Sequence, residues 1–408
     1  MNQQPNRQVK IDGLALKLKS VYRGLPAWLR FILAPLEFVY YLDRVLRPSL
    51  WIMTGEETSS SRELTIIFAG NNQNRYFLKN LAFHNCSRDE NIGKTWLWNV
   101  SKICRSYGQH DTLRINEIPR YLRILFKDPM TWYVPCWVYG ELHLSADQQQ
   151  LVRNRSLRSD INKIKKANLT FETASDTADC HEFYHSMHLP FVTQSHHDGA
   201  VVTDYADVLH ELKRCDLVFV RNEEERLAGA LIRYSKNRAE LWFLGVKDGN
   251  PEYVRLGVIG ALYYYPILYF KSKGIQRVDF GPSRAFLKNG VLQYKRKWDQ
   301  TLNGTSRDGF LIRPSSVGPA VKGFLCNNPF IITDRGKLVG VVFADGKEQL
   351  SHDFLEQTSR QYFLKGMAGL VVFTFGGVEG DEPYVVPSAL SDRIAVRCVG
   401  RDSRDRRD

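Results

Sequence analysis

From residue 156 onward the spacing of apolar positions changes several times, and each change marks an element. Apolar residues at helical spacing beneath an Arg/Lys face predict a helix over Ser156–Ala167, and Leu169–Thr173 follows as a short strand. Two further helices are predicted over Asp179–Leu189 and Asp204–Cys215. Three β-rich runs come next, DLVFVRN, LAGALIRYS and AELWFLGV, parted by the polar turns Glu223–Arg226 and Lys236–Arg238, which is the pattern of an antiparallel meander. KDGNPEYVRLG then breaks the pattern. A long, Tyr-rich apolar helix, Val258–Ser272, is closed by Gly274, Gln276–Phe280 predicts a strand, and a last helix carries Tyr294. That order of elements describes an α+β domain in which a helix crosses over between adjacent strands.

The flanks are less regular. LTIIFAG, beginning at Leu64, predicts a strand, Trp96–Tyr107 and Ile118–Phe126 predict helices, and TWYVPCWVYGEL predicts one aromatic strand bearing Pro135. FIITDRGKLVGVVFADG predicts a hairpin. GEETSSSR, Gly55–Arg62, is polar and Ser-rich between apolar regions and reads as a linker or loop that marks a boundary. A chain of 408 residues exceeds what one core organises. The expected parts are an amphipathic helical segment (1–60), an α/β unit (61–150), the regular domain (151–315) and a β-rich extension with a charged tail (316–408).

Composition narrows the partners. Lys and Arg number 56 against 44 Asp and Glu, a formal charge of +12, which favours nucleic acid, anionic lipid or a phosphate-rich cofactor. Part of the excess lies in Arg153–Lys166. Seven scattered cysteines with no CxxC pair predict a reducing cytoplasm and no structural zinc. The polar start MNQQPNRQVKIDG offers no cleavable signal. Leu25–Met53 is apolar but interrupted by Arg30, Glu37, Asp43, Arg44, Arg47 and three prolines, so it does not read as a membrane span. Its aromatic and basic mix suits either a helix packed on the next unit or a peripheral place on the inner face of a membrane.

The basic helix SLRSDINKIKKANLTFE, the segment EFYHSM, the strand pair around RLAGALI, and KGIQRVDFG followed by YKRKW together resemble the FemAB-like, polysaccharide-biosynthesis kind of GNAT acyltransferase over about Leu151–Leu311. The resemblance implies a mixed α/β (α+β) fold of the GNAT type, with residues 61–150 as a degenerate first half. It implies an acyl thioester, acetyl-coenzyme A above all, lying beside Gly245 and Val246, its pyrophosphate near the N-terminus of the following helix. Unpaired N–H groups and the helix dipole favour phosphate there, with Gly257 and Gly260 allowing close approach and Arg255 adding charge. Arg255-Leu-Gly257-Val-Ile-Gly260 has the residue types of the GNAT phosphate pattern at a different spacing. The acceptor would be an amine on a cell-envelope or polysaccharide precursor in a bacterium. Asp279 is the candidate base, Tyr294 the candidate acid and Lys295 the partner of an anionic substrate group. Some relatives of this kind use aminoacyl-tRNA as donor, which the basic helix would also suit.

Three other signals in the sequence point elsewhere. His181-Glu182-Phe-Tyr-His185 satisfies HExxH, which on a helix can hold zinc. However, polar SDTADC precedes it, and positions 188 and 191 are His and Phe where the extended motif needs Gly and His. Gly93-Lys-Thr95 lacks the upstream glycine of a phosphate loop, position 88 being Arg. A non-catalytic nucleic-acid or ligand-binding module stays open, since a fold does not dictate an activity.

Overall fold

The computed structural model describes residues 41–107, 111–126, 128, 130–144, 155–196, 202–375 and 384–399. Most of the expected N-terminal segment, the charged tail and His197 lie outside them. In chain order the strands are β1 (Ser49–Glu57), β2 (Glu63–Gly70), β3 (Phe83–Lys94), β4 (Thr112–Pro119), β5 (Trp132–Pro135) and β6 (Val138–His143). Then come β7 (Thr170–Ala174), β8 (Cys215–Arg221), β9 (Arg226–Ser235), β10 (Arg238–Val246), β11 (Arg277–Asp279) and β12 (Thr301–Thr305). The last five are β13 (Asp308–Pro314), β14 (Phe330–Asp334), β15 (Lys337–Ala344), β16 (Met367–Thr374) and β17 (Ile394–Cys398). They form three sheets, ordered β3-β1-β2-β4-β13-β5, β12-β6-β11-β10-β9-β8-β7 and β14-β15-β16-β17.

The Ser-rich stretch is a loop, the turn of a hairpin, and not a boundary between units. β1 and β2 pair antiparallel along their length, from Ser49 with Gly70 to Glu56 with Glu63. The buried Glu57 carboxylate accepts from the backbone N–H groups of Ser59 (3.0 Å) and Ser60 (2.6 Å), which closes the turn. The expected boundary at residue 60 therefore falls inside one sheet.

The aromatic run 131–142 is two strands. The chain breaks at Cys136-Trp137, so β5 lies in the first sheet and β6 in the second. The return crossing is made beside it, between β12 and β13, where Ser306 N donates to Trp137 O (2.9 Å) and Cys136 N to Asp308 O (3.0 Å). The domain expected over 151–315 thus gives up β13 to the first sheet and gains β6.

The meander is as its alternation predicts: β8, β9 and β10 pair antiparallel with β7 on the outside. Helices cover both faces. On one lie α3 (Arg155–Lys166, after α1, Asn72–Ala82, and α2, Leu97–Tyr107) and a long apolar helix, Val258–Ser272; Ile164 shares a core with Val258, Ala261 and Leu262. On the other lies a continuous helical stretch of α4 (Thr177–Glu182), a π-helical turn (Phe183–His188) and α5 (Leu189–His196), with α6 (Tyr205–Glu211) beside it.

β14 and β15 form the expected hairpin, but β15, β16 and β17 run parallel. The residues after 316 are accordingly α/β and not merely β-rich, because parallel strands need crossovers. The third sheet is joined to the first through a shared apolar core, in which the Trp132 ring lies 5.1 Å from Phe343 and 5.9 Å from Phe373. No helix among the described residues is long and apolar enough to cross a membrane.

Candidate active site

The second sheet opens where its two parallel strands part. β10 and β11 pair only at Arg238–Arg277, Ala239–Val278 and Glu240–Asp279. β11 ends there, while β10 runs on to Val246. Gly281, at φ 74°, turns the chain away, and Ser283 bonds with Val138 in both directions (2.8 and 2.9 Å), drawing the segment across to β6. A wedge is left between residues 241–246 and the segment after Asp279.

Two of the sequence-predicted residues hold that turn from both sides. Asp279 Oδ1 accepts from Gly281 N (2.8 Å), while Asp279 Oδ2 accepts from the Arg238 guanidinium at 2.5 Å. Lys295, on the helix Gly290–Lys297, donates from Nζ to the carbonyls of Gly281 and Pro282, each at 2.9 Å. Lys295 is buried, and that burial, opposed by Asp279, pushes its ammonium down to about 7. Two carbonyls accept from its Nζ, so it braces the wedge from within. Tyr294 is half-buried, and burial, with Asp160 nearby, raises its phenol, which therefore stays protonated at neutral pH.

The strand side is as closely built. A Cβ at Gly245 would lie 2.5 Å from His188 N and 2.6 Å from the Met187 carbonyl carbon, so Gly245 and buried Val246 seat the π-helical turn on β10. His188 lies 2.9 Å through Nδ1 from the Leu244 carbonyl oxygen, so Nδ1 carries the proton. Its Nε2 is buried without a partner, and burial lowers its pKa. Nothing in the periodicity of the sequence announces the π turn that buries His188.

The segment expected to hold the phosphate is built of two helices. KDGNPEYVRLG contains a short helix, α7 (Pro251–Leu256), capped by Asn250 and closed by Gly257 at φ 100°, from which the long helix α8 (Val258–Ser272) starts without a side-chain cap. Arg255 is largely exposed and paired with Glu252. Gly257 and Gly260 face α3: a Cβ on Gly257 would lie 3.3 Å from Lys163 Cβ, and one on Gly260 3.5 Å from Asp160 Cβ and 3.6 Å from Tyr294 Oη. These glycines let α3 sit against α8. On α3, Arg158, Ser159, Asn162, Lys163 and Lys166 line an open groove of about 490 Å³. A second groove of about 530 Å³ lies at its C-terminal end, between Lys165 and Arg221.

HExxH is otherwise engaged. Glu182 accepts from Arg226 at 2.7 Å, and the same guanidinium holds Asp179 and Glu172, each at 2.6 Å. His181 and His185 lie 4.3 Å apart ring to ring across the change from α to π pitch. Among the described residues no third ligating side chain joins them; the group spaced for a metal is exposed His352, Asp353 and Glu356.

Residues 152–296 match a family model described as an acetyltransferase (GNAT) domain. The chain carries a GNAT domain. The domain places the chain among transferases. The GNAT match runs from α3 to the helix bearing Tyr294 and Lys295, and β6 and the edge strand β12 of the same sheet lie outside it. No curated protein matches the chain. Among solved structures, L-PGS from Bacillus licheniformis is 13% identical, covering 64% of this chain and 81% of its own, with a TM-score of 0.31. FemX is 13% identical over 61% and 80%, with a TM-score of 0.34. The paia N-acetyltransferase from Thermoplasma acidophilum, in complex with coenzyme A, is 15% identical over 36% and 99%, with a TM-score of 0.26.

Proposed function

We propose that the GNAT domain moves an acyl group from acyl-coenzyme A to an amine, with the thioester in the wedge between β10 and β11 and the phosphates on α3. The parting of the parallel strands beyond Glu240–Asp279, beside a cationic groove, carries this reading. The amine nitrogen attacks the thioester carbonyl carbon, the C–S bond breaks, and the thiolate takes a proton from the Tyr294 hydroxyl, which burial keeps protonated. The proton lost by the amine goes to Asp279, whose oxygens each keep a lone pair free beside their bonds to Arg238 and Gly281. Lys295 fixes the turn that sets Asp279 in place. We assign the acceptor to an amine on a cell-envelope or polysaccharide precursor, in line with the FemAB-like sequence pattern.

Calorimetric titration with acetyl-coenzyme A, repeated with desulfo-coenzyme A and with a chelator, tests the donor. Saturable, chelator-insensitive binding is expected; its absence would remove the thioester reading. A second donor, aminoacyl-tRNA, is favoured by the exposed basic face of α3, with one groove along it and another at its C-terminal end. It predicts salt-sensitive tRNA binding in place of coenzyme A binding.

A further inference from the structure

Five large apolar side chains on the first-sheet side of the molecule stand out from the surface: Trp96 (41% exposed), Trp98 (63%), Tyr121 (56%), Ile124 (65%) and Leu125 (69%). They share one face. Trp96 and Trp98 stack at 4.7 Å, and Leu97 between them is buried in one cluster with Leu122 and Phe126, which sets the start of α2 against the 3-10 turn Arg120–Leu125. Tyr121 lies beside Tyr41, and the Arg47 guanidinium lies 5.3 Å from the Trp96 ring centre, so helical residues 41–46 border the same face.

Cations surround these side chains. Arg44, Arg47 and Lys94 are about half exposed, and Lys102 and Arg120 are exposed. Of the nearby acids, Asp43 pairs with Arg47 and Lys94 and Glu117 with Arg44, and Asp308 is half-buried, which raises its pKa. We propose that this face docks on a membrane leaflet containing anionic phospholipid. Trp and Tyr settle at headgroup depth, the protruding Ile124 and Leu125 reach the acyl boundary, and the surrounding Arg and Lys meet lipid phosphate. A protein partner would select a flat apolar centre depleted of charge, whereas here apolar side chains protrude one by one among cations. The proposal is independent of the transfer reaction, so its test reads binding alone.

The full chain is sedimented with vesicles of phosphatidylcholine, with and without phosphatidylglycerol. Binding to the anionic vesicles, weakened by salt, is expected. The variant Trp98→Ser/Ile124→Ser/Leu125→Ser should need at least about tenfold more lipid for half-binding, with unchanged thermal unfolding, and Trp98→Phe/Ile124→Leu should bind as the parent does. A serine variant that binds like the parent would overturn the proposal by placing lipid binding elsewhere in the chain. Failure of the parent to bind would overturn it too. So would a change from dimer to monomer in the serine variant, by light scattering, without vesicle binding by the parent, since the face would then be a contact between two copies.

Discussion

A methyl group at Gly245 has nowhere to go, because the atoms it would meet, His188 N and the Met187 carbonyl carbon, are backbone and cannot swing aside. Gly245→Ala must push the π-helical turn off β10, and a loss of roughly 2–3 kcal/mol is expected for overpacking of this kind. Urea unfolding should show a lower midpoint at unchanged slope; a midpoint equal to the parent's would mean that strand and turn are not in contact. Lys295 gives a prediction in pH. Its folded-state pKa of about 7 lies below the 10.5 of a free lysine, so between those values the unfolded chain binds a proton that the native chain does not. The contribution of this group to stability therefore rises with pH across that window, and the full cost of burying an ammonium applies below about 7. Lys295→Met removes the dependence. Its stability relative to the parent should fall by a few kcal/mol between pH 6.5 and 10, and a pH-independent difference would contradict a buried, titrating amine. The sequence made Asp279 and Lys295 legible because they flank predicted elements that must meet. It did not reveal that both serve Gly281, since that depends on a positive φ and on a turn with no periodicity.

Among the elements, α3 was the most legible, its apolar seam and basic face being plain in one short run. Its contribution is testable by charge: Arg158→Glu/Lys163→Glu/Lys166→Glu alters exposed side chains and should leave thermal unfolding in place. Donor affinity should drop at least about tenfold, and its salt dependence should flatten, because long-range attraction to phosphate is what salt screens. Unaltered affinity would take the phosphates away from this helix. The meander and α8 were legible for the same reason, strict alternation in one and a long apolar run in the other. Other elements were hidden by physics that acts at a distance. The passage from β5 to β6 rests on pairing Trp137 with Ser306, about 170 residues away. α7 hides in a segment whose glycine and proline read as breakers, although Pro251 is suited to a helix's first turn and Gly257 to its end.

At the scale of the whole molecule the first sheet and the third share a core, and the first cannot be completed without β13, which lies between β4 and β5. Ending the chain at residue 307 would strip β13 from both neighbours and expose Phe310's place in the core. The fragment 1–307 should show no cooperative melt and should be cut rapidly by protease within 49–135; a sharp transition near the parent's would show that the first half folds alone. Division into four sequential parts was the least legible feature, because local patterning carries no record of which sheet a strand will join.

The placing of β13 also matters while the protein is being made. About 170 residues separate the end of β5 from the start of β13. At ~5–20 residues per second, β4 and β5 leave the ribosome roughly 10–35 s before the strand that must lie between them has been synthesised. Throughout that interval each presents an unpaired, apolar edge to the cytosol, a target for chaperones and for neighbouring nascent chains on the same message. Yield from rapid expression should therefore be governed by how those two edges are sheltered during translation, and slower elongation over the intervening codons would lengthen the exposure.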